Sequence, residues 1–468
     1  MSTPTPLDFV ASEFPPGLSV IEASAGTGKT YAISHLVPRM LLDGTVKSLG
    51  EILLVTFTND AARELSDRVR RVLEKLAAPT TPDGQSSDDG VFKLREKFNQ
   101  PSHHAIIKKA LIEIDRLSVS TIHSFCQRTI QAEGTLCGYP VMPEVITNAD
   151  EFIEEALYDL WQNRVATDEL LSSLAASGGW DVGGDINFVK KAIPVEDFEP
   201  VPEALPFEET LGKIRNAPSQ FTGEIRDNLA GFIKGIQDWN NSGGEEVDRA
   251  AWLQALGEAK SFSDAGFWSA IEWIAELPKH ITARTNAGRA SKAQADKLTP
   301  LVIAREILSL INRLQWDWQN ECVKSVRESV RTALQARRQI TQDGLILTLR
   351  NALRSLKKEA LAARLRQRYK VALIDESQDT DPKQFEIFKN IFIGFEGESL
   401  PADYRLVMIG DPKQAIYGFR GADVNTYLEA KNLASRVFSL ETTFRSPKPL
   451  VEAINAFFDR PDSFLKEG

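Results

Sequence analysis

The octapeptide ASAGTGKT at residues 23–30 constrains this 468-residue chain more than any other stretch. Ahead of it, Leu18 to Ala23 (LSVIEA) reads as a short buried strand. Behind it, Thr30, Ile33, Leu36 and Val37 fall on one side of a helix that opens at Lys29. A strand, a loop of small residues and a helix make the setting a phosphate-binding loop requires. Gly26 and Gly28 have no Cβ, so the backbone can curl and aim successive N–H groups at an anion. The helix N-terminus adds its partial positive charge. In that setting Ala23, Ser24, Ala25, Gly26, Thr27, Gly28, Lys29 and Thr30 form the cradle for a triphosphate. Lys29 would reach the β- and γ-phosphates, and the Thr30 hydroxyl would ligate Mg²⁺.

About 340 residues later comes LIDESQDTD, residues 373–381. Val371 to Asp375 (VALID) is again an apolar strand, now ending in two carboxylates. A buried strand seldom ends in Asp-Glu without a cation or a water to bind. Asp375 would hold Mg²⁺ through its water shell and Glu376 would polarise the attacking water. Both segments arise together by chance in about one chain in several hundred. Nucleotide hydrolysis with ATP and Mg²⁺ is the expectation.

The length suits about three domains of ordinary size. A hydrophobic fraction of 42% and a charged fraction of 26% are those of a soluble globular protein. No apolar stretch approaches the ~20 residues that span a bilayer, and MSTPTPLDF lacks the regions of a signal peptide. A cytoplasmic protein is expected. Cys126, Cys137 and Cys322 are too scattered for a disulfide framework or a zinc or iron–sulfur site, so they read as reduced thiols. His103 and His104 read as solvated loop residues.

The net charge of −10 argues against a nucleic-acid partner until its distribution is considered. Residues 324–370 hold 13 Lys or Arg against 3 Asp or Glu. A second basic stretch runs through Lys279, Arg284, Arg289, Lys292 and Lys297. Each reads either as a solvated helix face or as a strip that contacts phosphates. On the second reading, charge reversal at Arg364, Arg366 and Arg368 would weaken DNA binding and flatten its salt dependence.

Residues 1–140 and 346–440 alternate strands with helices, as an α/β domain with a parallel sheet does. Residues 141–345 are helical in pattern and hold all 8 tryptophans, which marks an inserted helical domain. Residues 441–468 look like the start of a further unit. PTTPDGQSSDDG, residues 79–90, reads as a mobile loop.

Four more segments sit at predicted strand ends, where open α/β sheets place their ligands. They are LLVTFTNDAARELSDRV (53–69), LSVSTIHSFC (117–126), RLVMIGDPKQAIYGFRGAD (405–423) and LETTFRSP (440–447). Repeated aromatic tips with Thr, Asn and Arg along one sheet edge suit stacking and phosphate contact with a single strand.

The whole ordered set resembles the UvrD/Rep branch of superfamily 1 helicases. Within that branch, EASAGTGKT and GDPKQAIYGFRGAD are most similar to the RecB family, the β subunits of exodeoxyribonuclease V. The match covers the two α/β zones; the helical insertion matches by position and character. The resemblance implies a RecA-like P-loop fold, ATP-driven 3′ to 5′ movement along DNA, and a place in double-strand break repair and recombination. It implies single-stranded and duplex-end DNA as substrates, with RecC-like and RecD-like subunits as partners. Carried over residue by residue, it gives Gln414 the γ-phosphate, Phe444 the adenine and Arg445 the part of an arginine finger. Phe57, Thr58, Asn59, Thr121, His123, Tyr417, Phe419 and Arg420 fall where the family touches single-stranded DNA.

Three departures stand out. No Gln precedes residue 85, where the family often has one that reads adenine. The motifs that follow TTFRSP in the family's second RecA-like domain are absent, as is the RecB-type nuclease site. The chain therefore resembles the N-terminal part of such a subunit. The alternative is a module that holds ATP and single-stranded DNA without turnover. A P-loop kinase or transport ATPase fits less well, since those lack the GDPKQ and TFRSP segments.

Overall fold

The computed structural model describes residues 4–79, 88–178, 180–193, 203–217, 223–235, 297–398, 400–416 and 423–458, with scattered positions between 271 and 295. The chain forms two compact units, Met1–Val145 with Ile340–Gly468, and Ile146–Gln339.

The first unit is built on seven strands: β1 (Thr5–Pro6), β2 (Gly17–Ala23), β3 (Ile52–Thr56), β4 (Ser118–Thr121), β7 (Val371–Ile374), β8 (Arg405–Gly410) and β9 (Arg436–Leu440). The remaining two, β5 (Glu144–Ile146) and β6 (Gln339–Thr341), pair where the chain passes between units. In the large sheet the order is β1-β9-β2-β8-β7-β3-β4 and every pairing is parallel. Parallel strands are covered by helices on both faces, so they carry unbroken apolar runs in which alternate residues serve opposite sides. Ile21, Ile52, Leu54, Val371, Leu373, Val407 and Ile409 pack on one side, with helices Lys29–Leu42 and Asn59–Ala77. Val20, Leu53, Val55, Ala372, Ile374, Leu406 and Met408 pack on the other, with helices Ile122–Ala132 and Pro382–Phe392. This is an α/β, RecA-like arrangement, and every loop that follows a strand opens on the same sheet edge.

The second unit is helical. Helices Asp150–Arg164, Glu169–Gly178, Val182–Ala192 and Phe207–Asn216 bury one apolar core with the 38-residue helix Thr299–Ala336. At its centre Asp185 is 0% exposed. The indole N–H groups of Trp161, Trp180 and Trp318 all donate to its Oδ2, at 2.9, 3.1 and 2.7 Å. Gln319 Nε2 donates to Oδ1 at 3.1 Å. Trp239, Trp252, Trp268 and Trp273 lie outside the described residues.

Several sequence expectations change here. His103 and His104 stand in helix Pro101–Ile112, not in a loop, because Pro101 supplies a fixed φ at its first position. Asp88 to Gly90 are the cap and first turn of helix Asp89–Lys97, where the Asp88 carboxylate accepts from Gly90 N and Val91 N. The rest of the expected loop, residues 80–87, lies outside the described residues. Among the described residues no helix is long and apolar enough to cross a membrane. All three cysteines are free and buried.

The basic strip is also not a uniform surface. Arg366 is 7% exposed; its Nε and Nη2 donate to Ile391 O and Asn390 O at 2.8 and 2.7 Å, and it pairs with Glu398 at 2.7 Å. Arg350 and Arg354 both pair with Glu386. Arg366 thus closes the C-terminal carbonyls of helix Pro382–Phe392 and cannot lie on a phosphate path. Lys279, Arg284 and Lys292 of the second stretch lie outside the described residues. Arg366→Ala is expected to cost about 3 kcal/mol, while Arg364→Glu, on the exposed side, changes stability by about 0.5 kcal/mol or less. Urea unfolding of the two variants checks this. Arg366 holds the Glu398 carboxyl below its ordinary value. The folded pKa is depressed, so that contribution is present at neutral pH and is lost as pH falls through the lowered value.

Candidate functional site

The carboxyl end of β2 leads straight into the loop of small residues. Gly26 and Gly28 have φ of +77° and +90°, the left-handed region that a side chain disfavours. Thr27 N and Oγ1 both donate to Ser24 O, at 3.2 and 2.8 Å, which closes the turn and leaves helix Lys29–Leu42 to begin at Gly28. This helix start carries Lys29 and Thr30 at its first two positions.

Two strands away, β7 ends at Ile374, and Asp375 N donates to Val55 O at 2.8 Å, continuing the ladder one residue further. Glu376 then turns into the left-handed region at φ 50°, ψ 44°, held by its N–H donating to Asp375 Oδ1 at 3.0 Å. That turn brings Glu376 Oε2 to 2.6 Å from Lys29 Nζ. Burial raises the Asp375 carboxyl to a pKa of about 6, with Glu376 adding to the effect and Lys29 opposing it. Asp379 is likewise raised to about 6, by burial first and Glu376 second. Crowded, desolvated carboxylates of this kind are where a cation is most strongly favoured.

The strand between them, β8, contributes Gly410 and Asp411. Asp411 Oδ2 accepts from Gln414 Nε2 at 2.7 Å. Gln378, 2% exposed, donates from Nε2 to Glu376 Oε2 at 2.9 Å and accepts at Oε1 from Asp411 N at 3.0 Å. Lys29, Glu376, Gln378, Asp411 and Gln414 are therefore one connected chain of contacts.

On the other side of β2, strand β9 leads into residues 441–447. Phe444 N donates to Gly26 O at 2.8 Å and Thr443 Oγ1 to Ala25 O at 3.4 Å. A Cβ on Gly26 would stand 2.4 Å from Arg445 Cβ, so the glycine is required both for its φ and for this close approach. Arg445 and Phe444 thus lie against the loop, with Phe444 80% exposed.

The residues expected to meet DNA fall in two groups. Phe57, Thr58 and Asn59 follow β3; Thr121 ends its neighbour β4 and His123 follows it. In the order β2-β8-β7-β3-β4 the first group lies three strand spacings, roughly 14 Å, to the side of the phosphate loop and the second four, roughly 19 Å. Phe57 is 38% exposed. Thr58 and Thr121 both serve as helix N-caps, accepting from Ala61 N and Ser124 N. Burial lowers the His123 pKa, against the pull of Asp343 and Asp381, so its imidazole is neutral at pH 7. Tyr417, Phe419 and Arg420 lie outside the described residues. Sequence reasoning had assigned no role to Gln378, Asp379, Asp411 or Thr443. The only signal for the first two was their place within ESQD, directly after the carboxylate pair.

Residues 7–435 match the family model described as the UvrD/REP helicase N-terminal domain. The chain belongs to this family. Relatives of the UvrD/REP domain include the RecBCD enzyme subunit RecB of Escherichia coli (strain K12), 29% identical over 95% of this chain and 38% of that protein. The same subunit of Haemophilus influenzae is 29% identical over 95% of the chain and 40% of the relative. That of Mycolicibacterium smegmatis is 25% identical over 94% of the chain and 29% of the relative. The chain therefore spans about two-fifths or less of these proteins. The UvrD/REP family uses ATP with a divalent metal, in agreement with the loop and carboxylates just described.

Proposed function

We propose that this chain is the nucleotide-binding motor portion of a RecB-type DNA helicase that moves 3′ to 5′ in double-strand break repair and recombination. The observation that carries the proposal is the meeting of Lys29 and Glu376 at 2.6 Å between the P-loop and the carboxylate strand. That the relatives are named as subunits of a RecBCD enzyme supports RecC-like and RecD-like partners, and duplex-end and single-stranded DNA as substrates. The bacterial cytoplasm, where ATP and chromosomal DNA meet, is its proposed place of action.

When ATP enters, Lys29 leaves Glu376 for the β- and γ-phosphates, and the N–H groups of Gly26 to Thr30 turn toward the anion. Glu376, released from its cation, accepts a proton from the attacking water. Gln414 and Arg445 approach the γ-phosphate from β8 and from the segment after β9, and Phe444 offers a face to the base. The donor set fits Mg²⁺, with Thr30 and Asp375 as its holders. Among the described residues no cluster of three or more His, Cys, Asp or Glu could hold a metal ion, so phosphate oxygens and water would supply most ligands, as Mg²⁺ prefers. A magnesium ion held there would neutralise charge on the phosphate oxygens. Phe57 and His123 stack or hydrogen-bond with bases, and Thr58, Asn59, Thr121, Tyr417, Phe419 and Arg420 complete the track.

The test is steady-state ATP hydrolysis with and without single-stranded DNA. DNA-stimulated turnover that Lys29→Ala reduces by about 10³-fold or more is the expected result. Undiminished turnover in that variant would sink the proposal. The alternative, an ATP- and DNA-binding module without turnover, draws on the exposure of Phe444 and predicts nucleotide binding with no hydrolysis at saturating DNA.

A further inference from the structure

Glu376 has the wrong backbone for an accurately held side chain. It is a non-glycine residue at φ 50°, directly after a strand, and its carboxylate shares Lys29 with the phosphates that must displace it. Once Lys29 leaves, one described hydrogen bond still fixes the Glu376 carboxylate, the donation from Gln378 Nε2 at 2.9 Å. Gln378 is itself held by two further hydrogen bonds and by burial. Its Nε2 also reaches Asp379 Oδ2 at 3.3 Å, its Oε1 accepts from Asp411 N at 3.0 Å, and the side chain is 2% exposed.

The neighbouring strand is shaped around this amide. A Cβ on Gly410 would stand 2.7 Å from Gln378 Oε1, 2.7 Å from Ser377 Oγ and 3.0 Å from Gln378 N. Only a glycine at the end of β8 lets Gln378 lie this close. Asp411, whose N–H donates to Gln378, also holds Gln414 through Oδ2 at 2.7 Å. The amide therefore has one end on the base that acts on water and the other on the loop that carries Gln414.

We infer that Gln378 is a positioning residue: it aims the Glu376 carboxylate and locks that aim to the Gly410–Gln414 turn. This rests on the reading of the site as an ATPase. Through Gln378, a shift of the Gln414 turn repositions Glu376, so hydrolysis depends on the state of β8's loop through the base as well as through Gln414 itself. A buried amide with both ends used cannot be replaced by a hydrocarbon of equal size without losing both links.

The experiment measures kcat, ATP affinity and Tm for the parent, Gln378→Met, Gln378→Glu, Glu376→Gln and the Gln378→Met, Glu376→Gln double variant, at saturating single-stranded DNA. Gln378→Met keeps the volume and removes both links. Gln378→Glu keeps an acceptor for Asp411 N but removes the donor to Glu376, and serves if the Met variant folds poorly. Both are expected to lower kcat about 10- to 100-fold, with ATP affinity within about twofold. In the Glu376→Gln background the Met change should add about twofold or less, because a residue that acts through Glu376 has nothing left to aim. A parental kcat in Gln378→Met beside a dead Glu376→Gln would overturn the inference alone. Equal fold losses in both backgrounds, or kcat and affinity falling together with Tm, would overturn it in favour of a merely structural amide. Equal rates in the parent and Glu376→Gln would overturn the reading of the site, and this inference with it.

Discussion

Glu376→Gln is expected to slow ATP hydrolysis about 10²- to 10⁴-fold while binding ATP at least as tightly as the parent. The loss follows from the amide's inability to accept a proton from water. The retained affinity follows from the ion pair. Lys29 Nζ sits 2.6 Å from Glu376 Oε2, with the two side chains 11% and 37% exposed. A nucleotide must break that contact before Lys29 can meet phosphate, so the pair competes with binding. A partly solvated pair is worth about 1 kcal/mol or less, which limits the gain to about fivefold. Single-turnover hydrolysis and a fluorescent-nucleotide titration read the two quantities separately. Weaker binding in the variant would show that Glu376 helps to hold the nucleotide instead of competing with it.

Asp185→Ala is expected to destabilise the helical unit by about 3–5 kcal/mol. The change strands the buried indole N–H groups of Trp180 and Trp318, and the partly buried donors of Trp161 and Gln319, with no acceptor. Trp161, Trp180 and Trp318 also contact one another edge-to-face at 5.6 to 6.3 Å, so their packing is lost along with their hydrogen bonds. Asp185→Asn keeps one acceptor and should cost about half as much. Urea unfolding followed by tryptophan fluorescence reads the unit directly, and a loss under about 1 kcal/mol for the Ala variant would contradict the account. Burial raises the Asp185 pKa despite its four donors. The native state therefore binds this proton more readily than the unfolded chain, and the cost of the charge, present above the native pKa, is relieved as pH falls through it. The Asn variant lacks that term, so its deficit against the parent widens on acidification.

The parts of the fold that were legible in sequence are those in which a motif and an apolar strand adjoin. β2, β3, β7 and β8 each announce themselves by four or more apolar or β-branched residues before a polar turn, β4 by Leu117, Val119 and Thr121 alternating with serines, and the UvrD/REP match bears out the α/β fold and the helicase family. β1 was not legible. Thr5–Pro6 makes a strand only because β9 offers it an edge, which is where a proline is tolerated. The charge count of residues 324–370 misled for a related reason. A linear tally cannot see that Arg350, Arg354 and Arg366 find Glu386 and Glu398 some 32 to 36 residues downstream. The Asp185 cluster was hidden in the same way, since Trp318 is 133 residues from its acceptor. Gln378 was invisible because a glutamine has no charge to count, and only its 2% exposure marks it as more than a turn residue.

The pairing of β9 with β2 has a mechanical consequence. Residues Arg436 to Leu440 lie beside Ser19 to Ala23 in parallel register, and the segment that follows is tied to the phosphate loop at Ala25 and Gly26. A pull on the chain beyond residue 446, directed along the strand, loads all of those bonds in shear at once instead of peeling them one by one. The phosphate loop is thus anchored against tension arriving from that side, and such tension deforms the loop's geometry before it detaches the strand.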